Sequence, residues 1–235
     1  MLNKKDKLKG LKVPKISNNL AYLCGVFAGD GSINFRKNKN EYSIKCVGNP
    51  KDEKEFYTQI IAPKFNRVFG FTPEIKERDK KTTFGLVVYS KTLLIYLTQE
   101  IGLPLGEKYS SLKIPKKFLK DENLTINFIM GVFDTDGCIC FKRKYKNYPY
   151  YPTISLSSKS SKFIYEISGI LKKWGFNVVE TYDYRFKDVI TKKGFTEISR
   201  LELNGRINLN LWLKKVGFYS PKHLSKIKMW RKERL

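Results

Sequence analysis

An α+β protein made of two like halves is expected from this chain on three grounds. A segment returns 106 residues after its first appearance, the same alternation of helical and strand periods follows each copy, and two such modules fill the length of 235 residues. The returning segment is LCGVFAGDGSINF, Leu23 to Phe35, which reappears as IMGVFDTDGCICF, Ile129 to Phe141. After each copy comes a basic, aromatic stretch, RKNKNEYSIKCV and then KRKYKNYPYYPTISLS. An amphipathic segment ending on a glycine turn follows, KDEKEFYTQIIAPKFNRVFGF in the first half and SSKFIYEISGILKKWGF in the second. Finally LVVYSKTLLIYLTQEIGLPLGEK answers to RLELNGRINLNLWLKKVGFYSPK, each a strand, a turn and a second amphipathic helix. Each module therefore reads αββαββα, with antiparallel strands.

Taken in order, residues 1–16 form a basic extension, Lys-rich with Asp6 and no Arg, which argues against a mitochondrial presequence and reads as a frayed arm. The first repeat spans 17–119. Its opening helix, Leu20 to Ala28, is a compact apolar run with Asn18 or Asn19 as N-cap and Gly29 and Gly31 closing it. Tyr42, Ile44 and Cys46 alternate with polar neighbours, as do Phe84, Leu86 and Val88, which is the period of a strand with one wet face. The join lies near IPKKFLKDEN, residues 114–123, where a proline and a charged turn interrupt the periodicity. The second repeat, 120–235, opens with a helix from about Ile126 to Thr135 and repeats the alternation at Ile154 and Leu156, then at Leu201 and Leu203.

Hydrophobic residues make up 41% of the chain and aromatics 14%, enough for a core and too much for a disordered polyelectrolyte. Forty-six Lys and Arg against 22 Asp and Glu leave a formal charge of +24. A globular chain this basic calls for a polyanion. Nucleic acid is the first candidate, because each phosphate neutralised releases condensed counterion; ribosomal proteins and membrane-surface binders share the charge, so it does not name a reaction. Cys24, Cys46, Cys138 and Cys140 form no CxxC pair, and the one histidine, His223, cannot complete a zinc site. No apolar run approaches about 20 residues. An intracellular location with no membrane partner is expected, the cytoplasm of a prokaryote first and an organelle second.

The two repeated nonapeptides, Leu23-Cys24-Gly25-Val26-Phe27-Ala28-Gly29-Asp30-Gly31 and Ile129-Met130-Gly131-Val132-Phe133-Asp134-Thr135-Asp136-Gly137, resemble the LAGLIDADG motif of homing endonucleases. The two-copy arrangement is similar to the single-chain members, and it covers nearly the whole chain. Gly25 and Gly29 lie four apart on one helix face, as do Gly131 and Thr135, so two helix backbones can approach closely and bring Asp30 and Asp136 together at their C-terminal ends. There the helix dipoles and the like charge disfavour two bare carboxylates, a conflict that divalent cations resolve. The resemblance implies that Asp30 and Asp136 ligate Mg²⁺, two or three divalent ions in all, with Gly29 and Thr135 completing the metal set and Mn²⁺ or Ca²⁺ able to substitute in binding. Asp134 stands where the family pattern varies and is read as supporting. By repeat position and by the resemblance to the family, Lys108 in GLPLGEKYS and Lys222 in GFYSPKH are the candidate basic catalytic residues. His223 is left without a role.

The resemblance also implies two sheets forming a saddle over double-stranded DNA, with the LAGLIDADG helices at the repeat interface. Basic residues interleaved with aromatics on the wet strand faces suit groove contact. The candidates are Arg36, Lys37, Lys39, Tyr42, Lys45, Lys76, Arg78 and Lys80 in the first repeat, and Lys142, Arg143, Lys144, Tyr148, Tyr182, Tyr184, Arg185, Lys187 and Arg200 in the second. With both repeats in one chain, a monomer is expected, and the resemblance implies that it makes a staggered double-strand cut in a long target by metal-dependent phosphodiester hydrolysis. Two other readings use the same scaffold: an intron maturase whose partner is intron RNA, and a DNA-binding regulator that does not cut.

Overall fold

The computed structural model describes residues 4–142, 150–189, 191 and 194–232. Two helices form the centre. α2 (Asn18–Gly29) and α5 (Glu122–Thr135) pack on each other more extensively than any other pair of elements, and α2 is buried from Leu20 to Gly29. Both begin one residue beyond a side-chain cap: Ser17 Oγ accepts from the Leu20 amide at 3.3 Å, and an Asp121 carboxylate oxygen accepts from the Leu124 amide at 3.0 Å. The first cap is therefore Ser17 rather than Asn18 or Asn19, and α5 starts four residues before the expected Ile126, since its first turn carries a single apolar residue, Leu124, among polar ones.

Each half contributes one antiparallel sheet. β1 (Gly31–Arg36), β2 (Glu41–Gly48), β3 (Ile75–Arg78) and β4 (Thr83–Tyr89) lie in the order β1-β2-β4-β3. β5 (Gly137–Lys142), β6 (Tyr151–Ser158), β7 (Val178–Lys187) and β8 (Phe195–Asn204) lie in the order β5-β6-β8-β7. Register places Ile33 opposite Ile44 and Cys46 opposite Leu86 on one face, and Ile139 opposite Ile154 and Leu156 opposite Leu201 on the other sheet, all buried beneath helices. The alternation expected of these strands holds, and among the described residues no helix covers the second face of either sheet.

The helical layer consists of α3 (Ala62–Phe69), α4 (Lys91–Ile95), α6 (Ser161–Lys173) and α7 (Gly205–Lys215). α3 is preceded by a widened helical turn, Phe56–Ile61, that runs into Pro63, a residue unable to donate to the helical ladder. α8 (Pro221–Lys232) is an element beyond the αββαββα plan. Its start was legible in Ser220-Pro221, since proline at a first helical position costs no hydrogen bond.

The basic extension is not frayed over its described part. It forms α1 (Lys4–Leu8), buries Asp6 and Leu11, donates the Lys12 amide to Phe69 O at 2.8 Å and accepts the Tyr96 hydroxyl on Pro14 O at 2.9 Å. Pinned against the first half, it gains enough contact to offset its ordering. Among the described residues no helix is long and apolar enough to cross a membrane.

Candidate active site and nucleic-acid face

Small residues set the distance between α2 and α5. A Cβ on Gly25 would lie 2.0 Å from Phe128 O, one on Gly131 would lie 2.2 Å from Tyr22 O, and one on Gly29 would lie 2.1 Å from Thr135 Oγ1. The helices therefore touch backbone to backbone, as the spacing of the small residues suggested. The Thr135 hydroxyl turns back onto its own helix, donating to Val132 O at 3.0 Å, and so stays out of the way.

Asp30 and Asp136 cap the C-terminal ends of the two helices, with amides that close the last turns onto Val26 O and Val132 O. The two carboxyls lie close enough to act on each other's titration. Protein packed around the pair pushes both upward, Asp30 to about 7, where the negative charges of Asp136 and Glu53 add to the effect and Lys222 and Lys108 oppose it. The pair is not enclosed: Asp30 is half-buried and Asp136 is open to solvent. This is an acidic site at the seam of the molecule, crowded enough to penalise bare charge and open enough to admit a phosphate.

Both candidate lysines arrive beside it, by different routes. Lys108 Nζ donates to the carbonyls of Gly29 and Gly31, the latter at 3.2 Å. Lys222, on α8, donates across the seam to the carboxylate of Glu53, a buried residue just ahead of the widened turn before α3. Glu53 was missed in the sequence because KDEKEF looks like the solvated start of a helix. The available signal was Gly48, whose missing side chain makes room for the carboxylate: a Cβ there would lie 1.7 Å from Glu53 Oε2.

Asp134 does not face the Asp30–Asp136 pair. It is fully buried and accepts three hydrogen bonds, from the Tyr22 hydroxyl at 2.7 Å, the Tyr219 amide at 2.9 Å and the Ser220 amide at 3.1 Å. Burial raises it to about 6 against the opposing effect of those bonds. Its place is beneath the loop that leads into Lys222. Tyr22 and Tyr219 meet edge to face at 5.1 Å, and Lys64 Nζ lies 4.0 Å from the Tyr219 ring centre. His223 is buried against the Phe218 ring, and burial lowers it to about 3, so it is neutral and carries no proton to transfer at working pH.

Metal binding is compatible with these groups. Among the described residues no three His, Cys, Asp or Glu side chains gather as a self-sufficient metal site. The donor set is instead two carboxylates with adjoining carbonyls, hard oxygen donors that leave positions for water or phosphate oxygen, which suits Mg²⁺ or Ca²⁺. Gly29 O is engaged by the Lys108 ammonium, so a metal ion using that carbonyl would displace it.

The uncovered sheet faces receive part of the expected DNA-contact set. Arg36, Lys45, Lys76 and Arg78 share the open face of the first sheet, following the pairs Ser32↔Lys45, Arg36↔Glu41, Lys76↔Gly85 and Arg78↔Thr83. Lys37 and Lys39 occupy the turn between β1 and β2, and Lys80 the turn between β3 and β4. In the second sheet Lys142, Tyr184 and Arg200 face outward, joined by Thr181, Phe186 and Ile198, which the sequence reading did not choose. Four candidates lie on the opposite side. Tyr42 stacks on Phe35 at 4.5 Å over the core face, and Tyr182 donates to Glu180 at 2.7 Å near Tyr165 of α6. Arg185 and Lys187 are turned away because a bulge between Thr181 and Tyr184, with Asp183 at φ 51°, shifts β7 by one residue and exchanges its faces. Arg143, Lys144 and Tyr148 lie outside the described residues.

The LAGLIDADG-like domain family matches residues 123–217. Among curated relatives, the uncharacterized protein MJ0314 of Methanocaldococcus jannaschii is 27% identical over 164 residues, 68% of this chain and 55% of that protein. Villin-5 of Oryza sativa subsp. japonica is 31% identical over 74 residues, 32% of this chain and 8% of that protein, so the chain spans only part of the curated relatives it matches. Among solved structures, the homing endonuclease I-DmoI in complex with DNA and Ca aligns with a TM-score of 0.59 at 16% identity, covering 90% of this chain and 97% of that one. The LAGLIDADG homing endonuclease I-LtrWI bound to target DNA aligns with a TM-score of 0.54 at 12% identity, covering 91% and 88%. Residues 123–217 thus match the LAGLIDADG-like domain family, and across both halves the chain has the two-repeat fold seen in the LAGLIDADG homing endonucleases.

Proposed function

We propose that this protein is a site-specific DNA endonuclease that makes a staggered double-strand cut in a long duplex target, with residues 17–119 and 120–235 each serving one half of that target. The observation that carries the reading is the pairing of Asp30 and Asp136 at the ends of two helices in backbone contact, with Lys108 and Lys222 beside them. One carboxylate from each repeat matches one cut on each strand. Asp30 and Asp136 would hold divalent ions, which supply activation of water and neutralisation of the leaving oxygen when bound. The lysines contribute positive charge where the phosphate gains negative charge. The open sheet faces lie along the DNA grooves, their basic side chains binding phosphates and their polar and aromatic ones meeting base edges. A single chain suffices, because the interface that a homodimer would supply is internal.

The test is cleavage of a duplex library containing candidate insertion loci, with Mg²⁺, by wild type, Asp30→Asn and Asp136→Asn, the ends being mapped by sequencing. Staggered cuts at one sequence that disappear in both variants support the endonuclease. No cutting by wild type, together with tight binding of intron RNA, would replace it with the maturase reading; DNA binding indifferent to both substitutions and without cleavage would leave a regulator.

A further inference from the structure

The two lysines that correspond by repeat position are held differently. Lys108 rests on carbonyls at the end of its own motif helix, whereas Lys222 is drawn across the seam to a carboxylate of the other half. The receiving site is built. Glu53 is only 6% exposed, its second carboxylate oxygen accepts the Asn49 amide at 2.7 Å, and Gly48 leaves the space that the carboxylate fills. The corresponding position in the second half is Ser160: each accepts on its backbone carbonyl the amide four residues on, Tyr57 for Glu53 and Ile164 for Ser160. Ser160 uses a short neutral hydroxyl to cap α6, accepting the Phe163 amide at 3.4 Å. The first half therefore adds to the seam a negative charge that the second half does not return.

We propose that Glu53 is a positioning residue that fixes the Lys222 ammonium across the seam, so that the two halves of the site act unequally on the two DNA strands. A charge pair withdrawn from water is held tightly, because separating it leaves an uncompensated charge in a poorly solvated place. Lys222 therefore has a fixed point from which to meet a phosphate, whereas Lys108 is hydrogen-bonded to carbonyl dipoles and feels the Asp30 and Asp136 charges without a bond to either. The inequality rests on the endonuclease reading; the hold of Glu53 on Lys222 does not.

Two measurements test it. The first is amine labelling of the free protein with a mild acylating reagent, read by mass spectrometry. In Glu53→Gln the labelling of Lys222 is expected to rise several-fold while that of Lys108 stays unchanged, and an unchanged Lys222 would overturn the hold. The second is single-turnover cleavage of a target labelled differently on each strand, comparing wild type, Glu53→Gln and Lys222→Met. Glu53→Gln is expected to slow one strand roughly ten-fold, the same strand that Lys222→Met slows, with the other within about two-fold and DNA affinity in Ca²⁺ unchanged. Equal slowing of both strands, or slowing of the strand that Lys222→Met spares, would sink this inference and leave the endonuclease standing. If wild type cuts no duplex, the endonuclease reading and the strand inequality fall together, and labelling alone decides the hold. Should Glu53→Gln fail to fold, Glu53→Asp, which keeps the charge and shortens its reach, is expected to show the same one-strand pattern more weakly.

Discussion

The Tyr22 hydroxyl of the first repeat donates to the Asp134 carboxylate of the second at 2.7 Å, beneath the loop that delivers Lys222. Replacing Asp134 with Ala orphans that hydroxyl and two backbone amides at once, and buried unpaired donors each cost on the order of 1–3 kcal/mol. Asp134→Ala is expected to lower stability by about 3 kcal/mol and to reduce cleavage further by loosening the loop, whereas Tyr22→Phe is expected to cost about 1 kcal/mol. Denaturant melts and cleavage rates on the same samples check both. Equal effects of the two substitutions would contradict the three-bond arrangement.

Asp30 gives a pH signature. Its folded pKa is raised, so between the unfolded value and about 7 the folded state holds the extra proton, and stability falls as pH rises through that window. Asp30→Asn removes the penalty. Without metal, the variant is expected to exceed wild type at pH 8 by on the order of 1–2 kcal/mol, allowing for the water that reaches a half-buried group, and the gain is expected to vanish near pH 4. Calcium is expected to stabilise wild type more than the variant. Thermal melts across pH, with and without Ca²⁺, decide it.

The glycine contacts predict unequal tolerance. Gly29→Ala clashes with the Thr135 side chain and touches Asp136 Cγ only at an ordinary 3.4 Å, so Thr135→Gly in the same protein is expected to recover much of the lost stability. Gly25→Ala meets the Phe128 carbonyl and has no side chain to yield, so it is expected to cost about 3 kcal/mol or more with no single compensating change. Melting temperatures of the three variants against wild type test the difference.

On the second sheet, outward and helix-side residues should separate in a selection of randomised target half-sites. Arg200→Ala and Tyr184→Ala are expected to weaken binding about ten-fold and relax base preference in one half only. Tyr182→Ala, on the helix side beside Glu180, is expected to leave preference unchanged. A preference shift from Tyr182→Ala equal to that from Tyr184→Ala would place the bulge in the wrong register.

The repeat, the strand faces and the Asp30–Asp136 pair were legible in the sequence because periodicity and spacing encode them directly. The side-chain directions in β7 were not, since one inserted residue at Asp183 reverses every later face and leaves no compositional mark. Glu53 was hidden for a different reason. A carboxylate in a charged run looks solvated, and only tertiary structure brings it against a lysine 169 positions away. The role of Asp134 was obscured likewise, because its partners come from two segments distant in sequence, Tyr22 and the pair Tyr219-Ser220.

The 106-residue offset sets Phe128 against Tyr22 and Ala28 against Asp134 as counterparts. Two copies of the second half, brought together symmetrically, would face Asp134 with a phenyl ring that has no hydroxyl to give. Two copies of the first would offer Tyr22 an alanine. At this contact each half is thus complementary to the other and not to itself, so the Tyr22–Asp134 bond is one that neither half can form with a second copy of itself.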